Sequence, residues 1–358
     1  MPHRPAFRPI FAKKTMNTFH ISAGRLWQSS LLLLLTLFLI TGCAPQQPKT
    51  ARPDYVLVIH GGAGAMERSK MTAEAEQAYL QGLSQALAAG EAVLNSGGSS
   101  LDAVVASIVL LEDNPLFNAG KGAVYNEAGM VAHDASLMDG KSGKGGAVGA
   151  VSCIKNPVLA AKAVMDDGRH VFLVGRGAEK FAIKAGLDTV SQDYFYTQSR
   201  WENFEKTRKT QLEREFPLQS RGTVGAVALD KNGNLAAGTS TGGMHYKREG
   251  RLGDSPLIGA GTWADNNSCA VSATGHGEFF ILNAVAHDLH ARMVYAGQSL
   301  QEAANELVMN KLKQFDAGGG IIAVDKNGNI AMPFNTSGMF RASVVAGQEP
   351  FTAIYTLE

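Results

Sequence analysis

The chain runs to 358 residues, 45% hydrophobic and 18% charged, a composition that suits a compact globule with a substantial buried core. Its 33 Lys and Arg residues balance 32 Asp and Glu residues to a formal net charge of +1, so no broad field steers it toward nucleic acid or an anionic surface. Nucleic acid is thereby excluded as the expected partner, and something small or locally recognised takes its place.

The amino-terminal stretch carries scattered Lys and Arg before "LLLLLTLFLITGC" (31–43), an apolar run shorter than the about 18 to 20 residues a spanning helix needs. It ends in Ile40-Thr41-Gly42-Cys43, which resembles the bacterial lipobox, where the cysteine is acylated and becomes the new first residue. Residues 1–43 are therefore expected to be a lipoprotein-type signal peptide, with Cys43 as the lipidation site, the protein exported to the periplasm and a lipid anchor holding it to a bacterial membrane. A plain cleaved signal with an unlipidated cysteine is the alternative, and the sequence leaves Met1 and Met16 open as the start. Residues 44–54, "APQQPKTARPD", read as a flexible polar tether. Cys153 and Cys269 belong to no CxxC or Cys/His pattern and are expected to be buried free thiols.

"YVLVIHGGAGA" (55–65) predicts a buried strand running into a glycine loop. Helices are expected at about 72–95 and 100–112, the second opened by Ser99 and Ser100 as N-cap candidates with Asp102 in the first turn. The glycines match neither Walker nor dinucleotide spacing, because Glu67 stands where a third glycine would be needed after Gly62-x-Gly64. Strands at 145–154 and 170–175 then alternate with helices at 156–165 and 177–186. Residues 188–220 are polar, charged and free of glycine, which fits a solvated linker or a loosely held helix. Beyond this boundary, "AVALDKNGNLAA" (226–237) and "IIAVDKNGNIAM" (321–332) both read as hairpins around an Asn-Gly turn. Between them lie two helical segments, 277–296 and 299–315, the latter with Ser299 as N-cap and Glu302 three residues on. Sheets and paired helices together imply layers of α on β.

Chemistry enters at Gly222-Thr223, where a strand opens directly after the polar stretch. A threonine hydroxyl is unreactive near neutral pH unless a base takes its proton. Its own α-amine has a pKa of about 7.7 to 8.0 and serves that purpose only when free, which requires the Gly222 peptide bond to be cut. The same hydroxyl can make that cut by attacking the Gly222 carbonyl, with glycine tolerating a strained backbone at that point.

"GTVGAVALD", "GTSTGG", "GRLGDSPLIGAG" and "TGHGE", which run from Gly222 to Glu278, together with "HGGAG" (60–64), "LEDNPLFNAGKG" (111–122) and "MDG" (138–140), resemble the plant-type asparaginase and isoaspartyl peptidase family of N-terminal-nucleophile hydrolases. The resemblance covers nearly everything from residue 55 onward except the polar linker. It implies an α+β fold, a four-layer αββα sandwich. The precursor would be cleaved between Gly222 and Thr223 into an α subunit (55–222, with the polar linker 188–222) and a β subunit (223–358), and αβ units would pair as a dimer.

Carried over motif by motif, the resemblance implies that Thr223 is the nucleophile, that Thr241 hydrogen-bonds it, and that Thr274 and the Gly275 amide form the oxyanion hole. Donors of that kind are each worth about 3 to 4 kcal/mol. Arg251 and Asp254 would hold the α-carboxylate and α-ammonium of the substrate, a planar guanidinium suiting the one and an aspartate the other. Gly243 and Gly277 would leave room for the ligand. "LEDNPLFNAG" resembles the family's sodium loop, implying a structural sodium ion held by backbone carbonyls of Leu111, Glu112, Asn114, Phe117, Ala119 and Lys121, although Asn114 and Lys121 depart from the residues expected there. No cofactor is implied for catalysis. Asn118 either reaches the active site or caps a turn, and His287 and His290 read as helix surface or packing rather than metal ligands.

The implied activity is release of β-linked L-aspartate from isoaspartyl dipeptides and hydrolysis of L-asparagine to L-aspartate and ammonia. Glycosylasparaginase, which shares a "TGHGE"-like stretch, is the alternative within the class, with "VIHGGAGA" and "STGGM" pointing away from it. A non-catalytic surface lipoprotein that keeps the fold is the alternative outside it, and the presence of Thr223, Arg251 and Asp254 weighs against that.

Overall fold

The computed structural model describes residues 52–211 and 222–356. The expected signal segment, Cys43 and all but the last residues of the tether lie outside the described residues, as does the stretch just before Gly222.

Strand β1 (Val56–Gly64) continues through the glycines with a shift of register between His60 and Gly62 and is buried along its whole length. Helices α1 (Ala73–Asn95) and α2 (Ser100–Asp113) follow, capped by Thr72 and Ser99, whose hydroxyls accept the Ala75 and Asp102 amides. Next come β2 (His133–Asp139), β3 (Gly145–Val151), α3 (Pro157–Asp167), β4 (Phe172–Val174), α4 (Gly175–Lys184) and α5 (Gln198–Gln211). After Thr223 stand β5 (Val224–Leu229), β6 (Leu235–Thr241), β7 (Thr262–Ala264), β8 (Cys269–Gly275), α6 (Gly277–Leu282), α7 (Val285–Tyr295), α8 (Leu300–Asn305), β9 (Gly319–Asp325), β10 (Ile330–Ala331), β11 (Gly338–Val345) and β12 (Phe351–Ala353).

The strands form an eight-stranded sheet in the order β12-β11-β1-β5-β6-β2-β3-β4 and a four-stranded sheet in the order β10-β9-β8-β7. The alternation of side chains along each strand sorts them into three apolar layers. On β1, Leu57 and Ile59 face Leu83, Leu87 and Ile108 of α1 and α2, whereas Val56 and Val58 face Ile322 and Val324 of β9. On the far side of the small sheet, Val271 and Ile321 pack against Leu289 of α7 and Leu300 of α8. This is the expected αββα sandwich, and strands covered on both faces explain why β1 and β5 read as continuous apolar runs.

Both Asn-Gly hairpins form, and by the same device. Asp230 accepts the amides of Asn232 and Asn234, and Asp325 accepts those of Asn327 and Asn329. The following Gly233 and Gly328 take φ values of +81° and +86°. The segment 277–296, read as one helix, is two, because Ala284 adopts φ +46° between α6 and α7. The next segment keeps its predicted capping box at Ser299 and Glu302, but α8 passes into a π turn at Glu306–Lys311 and a final 3-10 turn at Leu312–Phe315.

Within 188–211, α5 is the helix that the charge pattern left open as one reading. A short aromatic stripe ties it down: Phe195 and Phe204 are buried with Ala123, Tyr125 and Val131, and Trp201 meets Tyr125 edge-on at 5.2 Å. Five strands went unread, namely β2, β7, β8, β11 and β12. Four carry polar or charged residues at buried positions, His133, Asp134 and Ser136 on β2, Thr262 on β7, Ser272 and Thr274 on β8, and Arg341 and Ser343 on β11. Cys269 is a buried free thiol, while Cys153 is free and half-buried. Among the described residues, no helix is long and apolar enough to cross a membrane.

Candidate active site

Thr223 lies at the mouth of β5, and the register of the hairpin decides what it meets. Val224 pairs with Ser240 across β5 and β6, so one step further Thr223 stands opposite Thr241. Their hydroxyl oxygens are 3.1 Å apart and both residues are buried. The Thr241 hydroxyl also accepts the Gly243 amide at 2.9 Å, which fixes its orientation.

Asn118, read as either a site residue or a turn cap, meets the backbone at Gly222 and Gly243. Its Nδ2 donates to the Gly222 carbonyl at 2.6 Å and to the Gly243 carbonyl at 2.8 Å, while its Oδ1 accepts the Val124 amide. A primary amide has two donor hydrogens, and both are used on the strands that meet here. Gly222 itself has φ +86°, a left-handed backbone that favours glycine. From the other side Gly62, at φ +112°, leans on it: a Cβ there would lie 2.2 Å from the Gly222 Cα.

Thr274, at the end of β8, accepts the amide of Ala63 at 3.2 Å. It is thereby joined to the residue after Gly62, and because it accepts there its own hydroxyl hydrogen is left to donate. Gly275 beside it has φ +156°. The structure thus gathers Thr223, Thr241, Asn118, Gly222 and Gly243 into direct contacts and joins Thr274 to Ala63, while Gly275 lies against Gly318 and Gly319.

The predicted Arg251 and Asp254 form a second group. A Cβ on Gly277 would lie 2.8 Å from Asp254 Oδ1 and 2.9 Å from Arg251 Nη2, so the glycine leaves space that any other residue would fill. Asp254 is buried, and its Oδ2 has no hydrogen-bond partner among the described residues. Burial pushes its carboxyl up to about 7, against the lowering pull of the Arg251 guanidinium. Arg251 does not pair with Asp254. Its Nε and Nη2 both reach the carboxylate of Glu278 at 3.0 Å, and that guanidinium holds Glu278 below the usual carboxylate range despite partial burial.

Two further groups escaped the sequence. Lys247 is buried with its ammonium 3.7 Å from Asp134 and donating to the Ala132 carbonyl, and a Cβ on Gly243 would lie 2.7 Å from that nitrogen. Desolvation lowers the Lys247 pKa. Its position inside the charged run "YKREG" gave no sign of burial. His60, the first residue of "HGGAG", is buried with Nε2 3.0 Å from Ser272 Oγ, and burial lowers its pKa to about 3, so it is neutral. Ser272 continues through Thr239 and Thr262 to Ser136, at 2.7, 2.6 and 2.8 Å, a chain of hydroxyls between the two sheets. Nothing but the hydroxyl-bearing residue types themselves hinted at this chain.

In the loop after α2, a Cβ on Gly120 would lie 2.3 Å from the Glu112 carbonyl oxygen and one on Gly122 would lie 2.1 Å from that of Phe117. Glycines here let the chain pack against those carbonyls more closely than any side chain would allow. Asn114 Oδ1 accepts the Leu116 amide, and the Lys121 ammonium sits 5.5 Å over the Tyr194 ring. The carbonyls of Asn114, Phe117 and Ala119 accept the amides of Phe117, Ala119 and Gly122. His290 bonds Ser268 at 2.6 Å and His287 meets Trp263 edge-on, which is packing; among the described residues no cluster of His, Cys, Asp and Glu could hold a metal.

Comparison with known proteins bears on the chain as a whole. The family profile described as asparaginase matches residues 53–354. An isoaspartyl peptidase of Escherichia coli is 50% identical over 307 residues, covering 84% of this chain and 96% of that protein. A putative isoaspartyl peptidase/L-asparaginase of Dictyostelium discoideum is 44% identical, covering 81% and 93%, and an isoaspartyl peptidase/L-asparaginase of Mus musculus is 43% identical, covering 82% and 89%.

Proposed function

This chain belongs to the asparaginase family, and from that premise we propose that it is a self-cleaving threonine hydrolase acting on β-aspartyl dipeptides and L-asparagine. The observation that carries the reading is the Gly222-Thr223 junction, a buried hydroxyl beside a peptide carbonyl that Asn118 grips at 2.6 Å.

In maturation, Thr223 Oγ1 attacks the Gly222 carbonyl carbon. The C–O bond forms as the C–N bond breaks, the hydroxyl proton passes to the Thr223 nitrogen as it leaves, and Asn118 Nδ2 donates to the oxygen while it carries charge. Water then hydrolyses the ester, leaving a carboxylate on Gly222 and a free α-amine on Thr223. That amine is the base for the second reaction. A substrate anchored by Arg251 at its α-carboxylate and by Asp254 at its α-ammonium presents its β-carbonyl to Thr223 Oγ1. The amine takes the hydroxyl proton and passes it to the leaving nitrogen. Thr241 keeps the hydroxyl in line, and Thr274 with the Gly275 amide receives the oxyanion. Water completes the cycle by releasing L-aspartate from the threonine ester.

A sodium ion on the carbonyls of Leu111, Glu112, Asn114, Phe117, Ala119 and Lys121 would brace the loop that carries Asn118. Acylation of Cys43, export to the periplasm and pairing of αβ units into a dimer complete the proposal; labelling with a fatty-acid analogue in cells that acylate lipoproteins, and sedimentation of the mature enzyme, test these parts.

The decisive experiment is the intact mass of the purified protein with sequencing of each amino terminus. Two fragments, the smaller beginning Thr-Val-Gly-Ala, are expected, with L-aspartate released from both substrates. Thr223→Ala is expected to stay a single inactive chain. Full cleavage of that variant would overturn the assignment of the nucleophile.

A further inference from the structure

The reaction above leaves one buried ion pair without a task. The side chains of Lys247 and Asp134 are 3% and 0% exposed, with the ammonium 3.7 Å from the carboxylate. Taking two charges out of water costs about as much as their attraction returns, so such a pair is a poor source of stability, and apolar side chains of similar volume would fill the space as well. What the pair does supply is a fixed place for the ammonium.

That place adjoins the nucleophile. Asp134 is the β2 residue paired with Thr241 of β6, and its Oδ1 accepts the Ala150 amide at 2.8 Å, which leaves Oδ2 to face the lysine. The ammonium also donates to the Ala132 carbonyl at 3.0 Å, so it is held at two points. Its stem occupies the space that a side chain on Gly243 would need: a Cβ there would lie 2.7 Å from Lys247 Nζ, 3.0 Å from Cδ and 3.3 Å from Cε. The lysine thus backs the Gly243 peptide, whose amide donates to Thr241 Oγ1 at 2.9 Å, and that oxygen stands 3.1 Å from Thr223 Oγ1.

The backbone around Lys247 is clamped as well. Its carbonyl accepts the Glu127 amide at 2.9 Å, the Tyr246 amide donates to the Tyr125 carbonyl at 2.8 Å, and the Tyr246 ring stacks on Phe204 of α5 at 5.8 Å. Each of these partners, like Asp134 and Ala132, precedes Gly222 in the chain, so the loop after β6 is held entirely from across the Gly222-Thr223 junction.

We propose that Lys247 is a positioning residue for the nucleophile: its ammonium, pinned by Asp134 and the Ala132 carbonyl, backs the Gly243 peptide so that the Gly243 amide holds the Thr241 hydroxyl on Thr223. The inference rests on the threonine-hydrolase reading and deepens it. Lys247 takes no proton and touches no substrate. It governs turnover rather than binding, because the anchor is formed by Arg251 and Asp254.

The test measures kcat and KM for L-asparagine on the mature enzyme, with thermal melts to verify folding. The parent is compared with Lys247→Met combined with Asp134→Asn, which removes both charges and leaves neither unpaired, and with Asp134→Asn alone, which loosens the ammonium. In the double variant kcat is expected to fall about ten- to a hundredfold, the cost of a misplaced catalytic group, with KM within about twofold of the parent. Asp134→Asn is expected to lower kcat in the same sense by less. A folded double variant with the parent's kcat, or one whose KM rises while kcat holds, overturns the role. Where the double variant does not fold, an Asp134→Asn enzyme with the parent's kcat overturns it. Cleaved parent enzyme that turns over no asparagine removes the hydrolase reading itself, a result that depends on neither variant.

Discussion

Asp254 is a buried carboxylate raised to about 7, with one oxygen lacking a partner among the described residues. On the reading proposed above, an incoming ammonium would supply the missing partner, so only the ionised form would bind. The Thr223 α-amine, with a pKa of about 7.7 to 8.0 once free, must also be unprotonated to act as base. Two protons must therefore come off the free enzyme, and log kcat/KM for asparagine is expected to fall below about pH 7 with a slope approaching two. A limb of slope one would mean that Asp254 does not titrate in this window. Arg251 behaves differently because its fork is already occupied by Glu278, bidentate at 3.0 Å, and substrate must exchange one carboxylate for another. Arg251→Ala is expected to cleave normally and to lose about 100-fold in kcat/KM for asparagine, the order of 2 to 3 kcal/mol for a hydrogen bond to charge. Normal turnover by that variant would take Arg251 out of the site.

The elements act by bringing two backbones closer than side chains permit. β1 carries Gly62 against Gly222, and a Cβ on Gly62 would lie 2.2 Å from the Gly222 Cα in a backbone with φ +112°. Gly62→Ala is therefore expected to misplace the carbonyl that Asn118 holds. Strain of about 1 to 3 kcal/mol corresponds to roughly tenfold slower processing, read as persistent full-length chain on a denaturing gel over time. Processing at the parent rate would show that β1 has room to yield. The register of β5 on β6 is the other decisive contact, since a slip by one residue would turn Thr223 away from Thr241. Two Asp-Lys-Asn-Gly-Asn turns, at Asp230 and Asp325, pin their hairpins by identical hydrogen bonds, which is why those hairpins were readable from the turn residues alone.

At the scale of the molecule, the large sheet alternates between the two sides of the proposed cleavage site. β12 and β11 come from after Thr223, β1 from before it, β5 and β6 from after, and β2, β3 and β4 from before. Cutting one bond leaves the ladders between β1 and β11, β1 and β5, and β2 and β6 intact. The two fragments are expected to co-elute in gel filtration under native conditions and to part only in denaturant. Separation in plain buffer would mean that the fragments do not share one sheet.

The sequence by itself determined the hairpins and the helix caps, and it pointed to Thr223 as the nucleophile to be tested. Each rests on residues close in the chain: Asn-Gly turns, a hydroxyl three residues before the amide it caps, a glycine before a threonine. It also reached Arg251 and Asp254, through a resemblance that spans nearly the whole folded chain. It did not reach β2 or β11, because their buried polar residues broke the apolar pattern, and it left α5 open between linker and helix, because its aromatic stripe is short among charges. Burial of Lys247, the partnership of Arg251 with Glu278 and the hydroxyl chain from His60 to Ser136 were decided by the tertiary structure alone. Each depends on groups far apart in sequence meeting in a low-dielectric interior, where a charge or hydroxyl is tolerated only if its partner is there too.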